Sequence, residues 1–161
     1  MTAEDAEALA EIQRRSYAAA LPGLTAAWPE ANALDAAALR AFLDEQRYAV
    51  LATARPDGRP QASPVGFVVA DRAFWIATVR GARLRNVRAV AWASLVVMEE
   101  RPHVAVSAEG PVRIHEGEAL AAARARLARC WQARYDHPLE WAAALLELAP
   151  ERLFSHSAPE G

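Results

Sequence analysis

The chain has 161 residues, a single cysteine, and 18 basic residues (all arginine) against 20 acidic ones, for a net charge of −2. This length predicts one domain that buries about two thirds of its unfolded surface without disulfides or a structural metal. The small negative charge argues against a nucleic-acid binder, no apolar run reaches the ~18 residues of a membrane span, and the acidic start lacks the basic, then apolar pattern of a signal peptide, which points to a cytoplasmic protein.

The first third reads as helix. In Glu4–Leu21, Leu9, Ile12, Ser16 and Ala19 or Ala20 share one face, and Pro22–Gly23 is expected to end the helix. A loop through Trp28, Pro29 and Asn32 follows. Asp35 is a suitable N-cap for a second helix, whose stripe is Ala38, Leu39, Phe42 and Leu43 and which ends near Gln46. Residues 1–38 thus form a helical extension ahead of a core spanning 39–157.

The middle third changes character. Tyr48–Ala54 is a short apolar strand, Arg55-Pro56-Asp57-Gly58 a turn, and Gln61–Val69 the second arm of a hairpin. Pro60 and Pro64 cannot donate to a ladder, so part of that arm is an edge or a bulge. After the turn at Ala70-Asp71-Arg72, Ala73–Val79 places Phe74, Ile76 and Thr78 on one face and Trp75, Ala77 and Val79 on the other. Gly81 breaks the pattern. Arg83–Val90 suits two helical turns, with Leu84, Val87 and Val90 or Ala91 inward. Trp92–Met98 is a strand, Glu99-Glu100-Arg101-Pro102 a turn, and His103–Ala108 with Pro111–His115 a long strand bent at Gly110. Strands that are apolar on both faces suit a closed barrel or a dimer interface.

The last third returns to helix. Leu120, Ala123, Leu127, Cys130, Trp131 and Arg134 follow helical spacing, and Leu139, Trp141, Ala142, Leu145 and Leu146 suggest a second helix before Pro150. Arg152–Ser157 is a final short strand. The class is α+β: a small antiparallel barrel of about six strands flanked by N- and C-terminal helices.

Most catalytic motifs are absent: there is no GxGxxG, P-loop, HExxH, CxxC or GxSxG. The four histidines, at 103, 115, 137 and 156, lack metal-ligand spacing and read as surface or rim. Cys130 reads as a buried, inert thiol. Charge is more informative. The first 47 residues carry eight acids and four arginines, residues 48–115 five acids and nine arginines, and the remainder seven acids and five arginines. The middle third is therefore basic, and its sharpest cluster is Thr78–Arg88. There a strand end, a glycine and the start of a helix bring together free N–H groups, the Thr78 hydroxyl, Arg83, Arg85 and Asn86. Arginines there can make charge-assisted bonds to phosphate.

An ordered set of segments carries a family resemblance: FLDEQRYAVLAT (Phe42–Thr53), DGRPQASPVGF (Asp57–Phe67), ATVRGARLRNV (Ala77–Val87), WASLVV (Trp92–Val97) and VSAEGPVRIH (Val106–His115). In this order and spacing, residues 40–157 resemble the FMN-binding split-barrel, or pyridoxamine 5′-phosphate oxidase-like, superfamily. The arrangement is most similar to its actinobacterial branch that uses flavin or deazaflavin coenzymes. The resemblance implies that Arg83 and Arg85 grip the cofactor phosphate with Asn86 beside them. It further implies that Ile76 and Thr78 lie near phosphate and ring, and that Gln61, Ser63, Pro64 and Val65 line the isoalloxazine. Two positions depart from the pattern: Arg83 stands where lysine is usual, and Val90-Ala91 stands where the family often has Asp-Pro or Asn-Pro.

The resemblance implies an oxidoreductase that moves hydride to or from a small molecule. The coenzyme would be FMN, or alternatively deazaflavin F-420, in a homodimer whose cofactor sites are shared between copies. No side-chain acid or base is then obligatory. The longer acidic tail of F-420 would need further basic groups, for which Arg55, Arg59, Arg80 and Arg88 are available. A non-catalytic flavin- or haem-binding module on the same dimeric barrel, and a structural dimer without a cofactor, stand as the alternatives.

Overall fold

The computed structural model describes residues 1–101 and 103–158. Helix α1 (Ala3–Ala18) starts at a capping box, in which Thr2 and Asp5 satisfy each other's backbone N–H groups. It ends before the expected Leu21. Pro22 does not stop helix formation but begins α2 (Pro22–Ala27), because proline at a first helical position has its φ already set and no N–H to lose. A single 3-10 turn at Glu30–Asn32 precedes α3 (Ala36–Glu45), which Asp35 caps through the Ala38 N–H as expected.

Seven strands follow the helical start: β1 (Tyr48–Ala54), β2 (Pro60–Ala70), β3 (Ala73–Thr78), β4 (Trp92–Glu99), β5 (Val104–His115), β6 (Ala144–Leu148) and β7 (Arg152–Ser157). Helix α4 (Ala82–Ala89) lies between β3 and β4, and α5 (Gly117–Tyr135) between β5 and β6. The order β4-β1-β2-β3-β6-β5 closes through a β4–β5 pairing into a six-stranded antiparallel barrel, with β7 added on β5. The fold is α+β.

The expected helix around Leu139–Leu146 is instead a loop and strand β6, which pairs with β3 on one side and β5 on the other. Leucine and alanine favour helix locally, but β3 and β5 each offer an open edge that only a strand can satisfy, so tertiary pairing overrides propensity. Helix α4 ends at Ala89, leaving Val90 exposed rather than inward.

Two strands change partner midway. Residues 60–66 of β2 pair only with β1, and residues 67–70 only with β3. Pro60 and Pro64 fall in the half with one free edge, where a missing N–H costs little. In β5, residues 104–109 pair with β7 and residues 112–115 with β6, and the switch passes Gly110, where a Cβ would run into the Ala149 carbonyl.

Every residue of β3 is buried, because the barrel has apolar material on both sides. Phe74 and Ile76 face the interior with Phe67, Leu51, Leu95 and Val106. Trp75 and Ala77 face outward under α5, against Leu127 and Trp131. Full burial of each such large side chain contributes about 1.5–3 kcal/mol. The β2–β3 turn at Asp71 and Arg72 has both residues at positive φ, which matches the twist of a two-residue hairpin. Asp5 holds this turn by accepting the Arg72 N–H at 2.8 Å. Burial alone would raise the Asp5 carboxyl, but hydrogen bonds from Thr2 and Arg72 outweigh it and hold the pKa below its ordinary value.

Candidate functional site

Beyond the Phe67–Ile76 pair, β2 and β3 are no longer paired. The Arg83 side chain, from the first turn of α4, bridges that opening. Its Nη2 donates to Ser63 Oγ at 2.9 Å and reaches the Pro64 carbonyl at 3.4 Å, while Nη1 donates to Thr78 Oγ1 at 3.3 Å. Every one of these acceptors is uncharged. Among the described residues no carboxylate forms an ion pair with Arg83. Its Nε is buried and has no hydrogen-bond partner. Burial pulls the guanidinium pKa below its ordinary value.

Asn86, one turn further along α4, is 1% exposed. Its Nδ2 donates to Thr53 Oγ1 at 3.0 Å and to Gln61 Oε1 at 2.8 Å, so both amide hydrogens are used. Its Oδ1 is buried without a partner. Leu84 and Val87 anchor the same helix in the interior core. Helix α4 thus holds Arg83 and Asn86 in place against β1, β2 and β3.

Six of the nine residues singled out from the sequence meet in two neighbouring sets of hydrogen bonds anchored on α4: Arg83 with Ser63, Thr78 and the Pro64 carbonyl, and Asn86 with Gln61. Val65 and Ile76 are buried in the interior core and supply the apolar floor. Arg85 stands exposed on α4, outside the network. Of the four further arginines, Arg59 pairs with Asp57 at 2.7 Å and Arg88 with Glu116 at 2.6 Å. Arg55 and Arg80 are exposed.

Thr53 and Tyr135 escaped sequence reasoning. Thr53 looked like one more small strand residue, and only the register of β1 brings it to Asn86. Tyr135 closes α5. Its hydroxyl accepts the Phe67 N–H at 2.6 Å and donates to the Arg47 carbonyl at 2.5 Å. A Cβ on Gly66 would sit 2.9 Å from that hydroxyl, which explains the glycine beside the opening. Burial pushes the phenol up to about 12, so it stays neutral.

One other expectation needs correction. Cys130 is exposed, not buried, because it lies at the rim of the α5 stripe; its Sγ donates to Leu127 O at 3.1 Å, and local burial of the sulfur raises its pKa. The histidines lie as expected at surface or rim: His103 and His137 are exposed, and His115 and His156 are half-buried. His115 contacts Glu147 at 2.7 Å, and His156 stacks on Trp28 with ring centroids 5.8 Å apart. Two cavities of ≈ 520 and ≈ 620 Å³ lie between the N-terminal helices and α5 and contain none of the Arg83 network. A smaller one of ≈ 210 Å³ adjoins the network at Thr53, between the β1–β2 hairpin and Trp92. Among the described residues no cluster could hold a metal ion, and no helix is long and apolar enough to cross a membrane.

Comparison with known proteins agrees with this architecture. A search of curated proteins returns no sequence match. Among solved structures, a conserved hypothetical protein, Rv2991, from Mycobacterium tuberculosis is similar with a TM-score of 0.69 at 20% identity, covering 82% of this chain and 94% of that one. The heme storage protein HutZ from Vibrio cholerae has a TM-score of 0.61 at 21% identity, covering 73% and 92%. An F-420 reductase has a TM-score of 0.57 at 22% identity, covering 71% and 94%. At these identities the likenesses show a shared fold. The sequence family described as pyridoxamine 5′-phosphate oxidase matches residues 36–157. The chain therefore belongs to the pyridoxamine 5′-phosphate oxidase family of flavin-binding split barrels.

Proposed function

We propose that the chain is an oxidoreductase that holds the phosphate of FMN, or alternatively of deazaflavin F-420, at Arg83 and moves hydride to or from a small molecule. One observation carries this reading: a half-buried guanidinium with only neutral acceptors and an unbonded Nε. A desolvated cation of this kind is stabilised by an anion, and arginine suits phosphate oxygens through parallel charged hydrogen bonds. The donor set fits the group.

Hydride chemistry would come from the bound coenzyme. The chain's own residues bind and orient. Arg83 neutralises the phosphate. Ser63 and Thr78 hold the guanidinium in the opening between β2 and β3. Asn86 ties β1 to β2 through Thr53 and Gln61, and its free Oδ1 can accept from a ligand N–H or O–H. Val65 and Ile76 exclude water from below. Of the arginines available to a longer acidic tail, Arg55 and Arg80 carry no ion pair among the described residues, whereas Arg59 and Arg88 already do.

The working form is a homodimer with sites shared between copies. The outward faces of β1 and β4 support this: Tyr48, Val50, Trp92 and Met98 are 66%, 42%, 40% and 63% exposed, an apolar surface unusual for a free monomer.

Titrating the apo-protein with FMN and with F-420 tests the reading. One of the two should saturate, and Arg83→Ala should weaken that binding about 100-fold. Failure of both coenzymes to bind would overturn it. A Soret band in place of a flavin spectrum, with no turnover under any reductant, would favour the haem-binding module.

A further inference from the structure

Strand β2 changes partner at a single residue. Tyr48 opposite Gly66 is the last rung it shares with β1, and Phe67 opposite Ile76 the last it shares with β3. Had the first ladder run on, Phe67 would face Arg47. The Tyr135 hydroxyl stands in that rung instead. It accepts the Phe67 N–H at 2.6 Å, and the carbonyls of Arg47 and Phe67 lie 2.5 Å and 2.9 Å away to take its one proton. A side chain from α5 thus replaces the bond that the two backbones would make to each other, and holds them apart.

The surroundings make room for this insertion. Position 66 is glycine, and a Cβ there would stand 2.9 Å from the hydroxyl. The Tyr135 ring is backed by Trp131, with centroids 4.4 Å apart. The preceding residue, Arg134, donates to the Leu43 carbonyl at 2.9 Å and to the Gln46 carbonyl. The end of α5 is therefore docked on the α3–β1 connection by bonds other than those of Tyr135.

Beyond Phe67 and Ile76 the two strands part like the arms of a fork. Arg83 spans the gap, reaching Ser63 and Pro64 on one arm and Thr78 on the other. Pro64 is about 10 Å of strand from the fork and Thr78 about 7 Å. A rotation of about 5° at the fork would move Pro64 by about 0.9 Å. That is enough to break the contact with the Pro64 carbonyl, which already stands at 3.4 Å.

We propose that Tyr135 is a positioning residue for the Arg83 site: its hydroxyl, inserted between Arg47 and Phe67, fixes the angle at which β2 leaves β1 and so the width of the gap that the guanidinium spans. That the gap receives a coenzyme phosphate rests on the reading above; the effect on Arg83 itself does not.

The test is proton–nitrogen NMR of the full chain without coenzyme, comparing the parent with Tyr135→Phe, which removes one oxygen and keeps the ring on Trp131. The Phe67 amide should exchange with solvent about tenfold faster in the variant. The Arg83 Nε–H signal should shift. In titrations the FMN dissociation constant should rise about fivefold. Gly66→Ala, which displaces the hydroxyl from the other side, should reproduce these changes. It decides by the same criteria if Tyr135→Phe does not fold. Ser155→Ala, which loosens the fold at β7, should leave the Arg83 signal and the affinity unchanged. The proposal is overturned if the Arg83 signal matches the parent, if Ser155→Ala moves it as far, or if FMN binds the variant as tightly as the parent. The two readings fail separately. A chain whose Arg83 signal moves but which takes neither FMN nor F-420 loses only the coenzyme. One that binds FMN with an unmoved Arg83 signal loses only the role of Tyr135.

Discussion

Two polar networks interrupt the apolar interior, and they differ in how completely they close. The first joins α1 to β7. Ser155 Oγ donates to Gln13 Oε1 at 2.5 Å and accepts the Leu34 N–H at 2.8 Å, while Gln13 Nε2 donates to the Leu34 carbonyl at 2.8 Å. Ser16 accepts the Leu153 N–H at 3.0 Å, and the Tyr17 hydroxyl donates to the Ser155 carbonyl at 2.7 Å. All of its side chains are neutral and none has an orphaned atom. The second, around Arg83 and Asn86, contains a cation and leaves Arg83 Nε and Asn86 Oδ1 unbonded. An unpaired buried polar atom costs about 1–3 kcal/mol. The first network satisfies its own polar atoms, whereas the second leaves a buried donor and a buried acceptor without partners.

The largest expected effect separates the two networks directly. Arg83→Ala should raise the FMN dissociation constant about 100-fold, the scale of losing charged hydrogen bonds to phosphate. Thermal stability should hold or rise, because an uncompensated cation is removed. A collapse in Tm with unchanged FMN affinity would place Arg83 in the scaffold and erase the distinction.

Ser155→Ala should do the reverse. It strands Gln13 Oε1 and the Leu34 N–H, so urea denaturation should show about 2 kcal/mol of lost stability. FMN affinity should not move.

Asp5→Asn sharpens the structural side through pH. The folded Asp5 carboxyl sits below its ordinary value. Its contribution is therefore complete above the unfolded pKa of about 4 and is lost as pH falls through the folded value. The variant should be about 1 kcal/mol less stable at pH 7, and the gap should close on acidification below about pH 4. A gap that widens in acid would contradict the assigned hydrogen bonds.

Arg85→Ala should give the smallest change. The side chain is exposed, so FMN affinity should fall by no more than about threefold, and the difference should vanish in high salt. A loss as large as that of Arg83→Ala would mean that a bound ligand recruits Arg85.

Much of the barrel was legible because its strands carry local signals. The Asp57-Gly58 turn, the alternation in Ala73–Thr78 and the Asp35 cap each act over a few residues. The candidate site residues came from the basic cluster at Thr78–Arg88 and from the family resemblance, which ranked Arg83 and Arg85 alike; the structure brings Arg83 and Asn86 against the strands and leaves Arg85 exposed. Strand β6 was not legible. Its Ala-Leu-rich segment favours helix by itself and became a strand because β3 and β5 needed a partner. Thr53 and Tyr135 were missed for a related reason, since their roles depend on strand register and on where α5 ends.

By itself, the sequence determined the charge of this protein's middle third, the order of most elements and the arginine cluster at the start of α4. These follow from residue type and short-range spacing. Only the tertiary structure decided that Arg83 has no carboxylate partner among the described residues, that Asn86 is left with a free acceptor, and that the Tyr135 hydroxyl stands between Arg47 and Phe67. Each of those depends on which distant backbone or side chain arrives within about 3 Å, the reach of a hydrogen bond, and folding alone sets that distance.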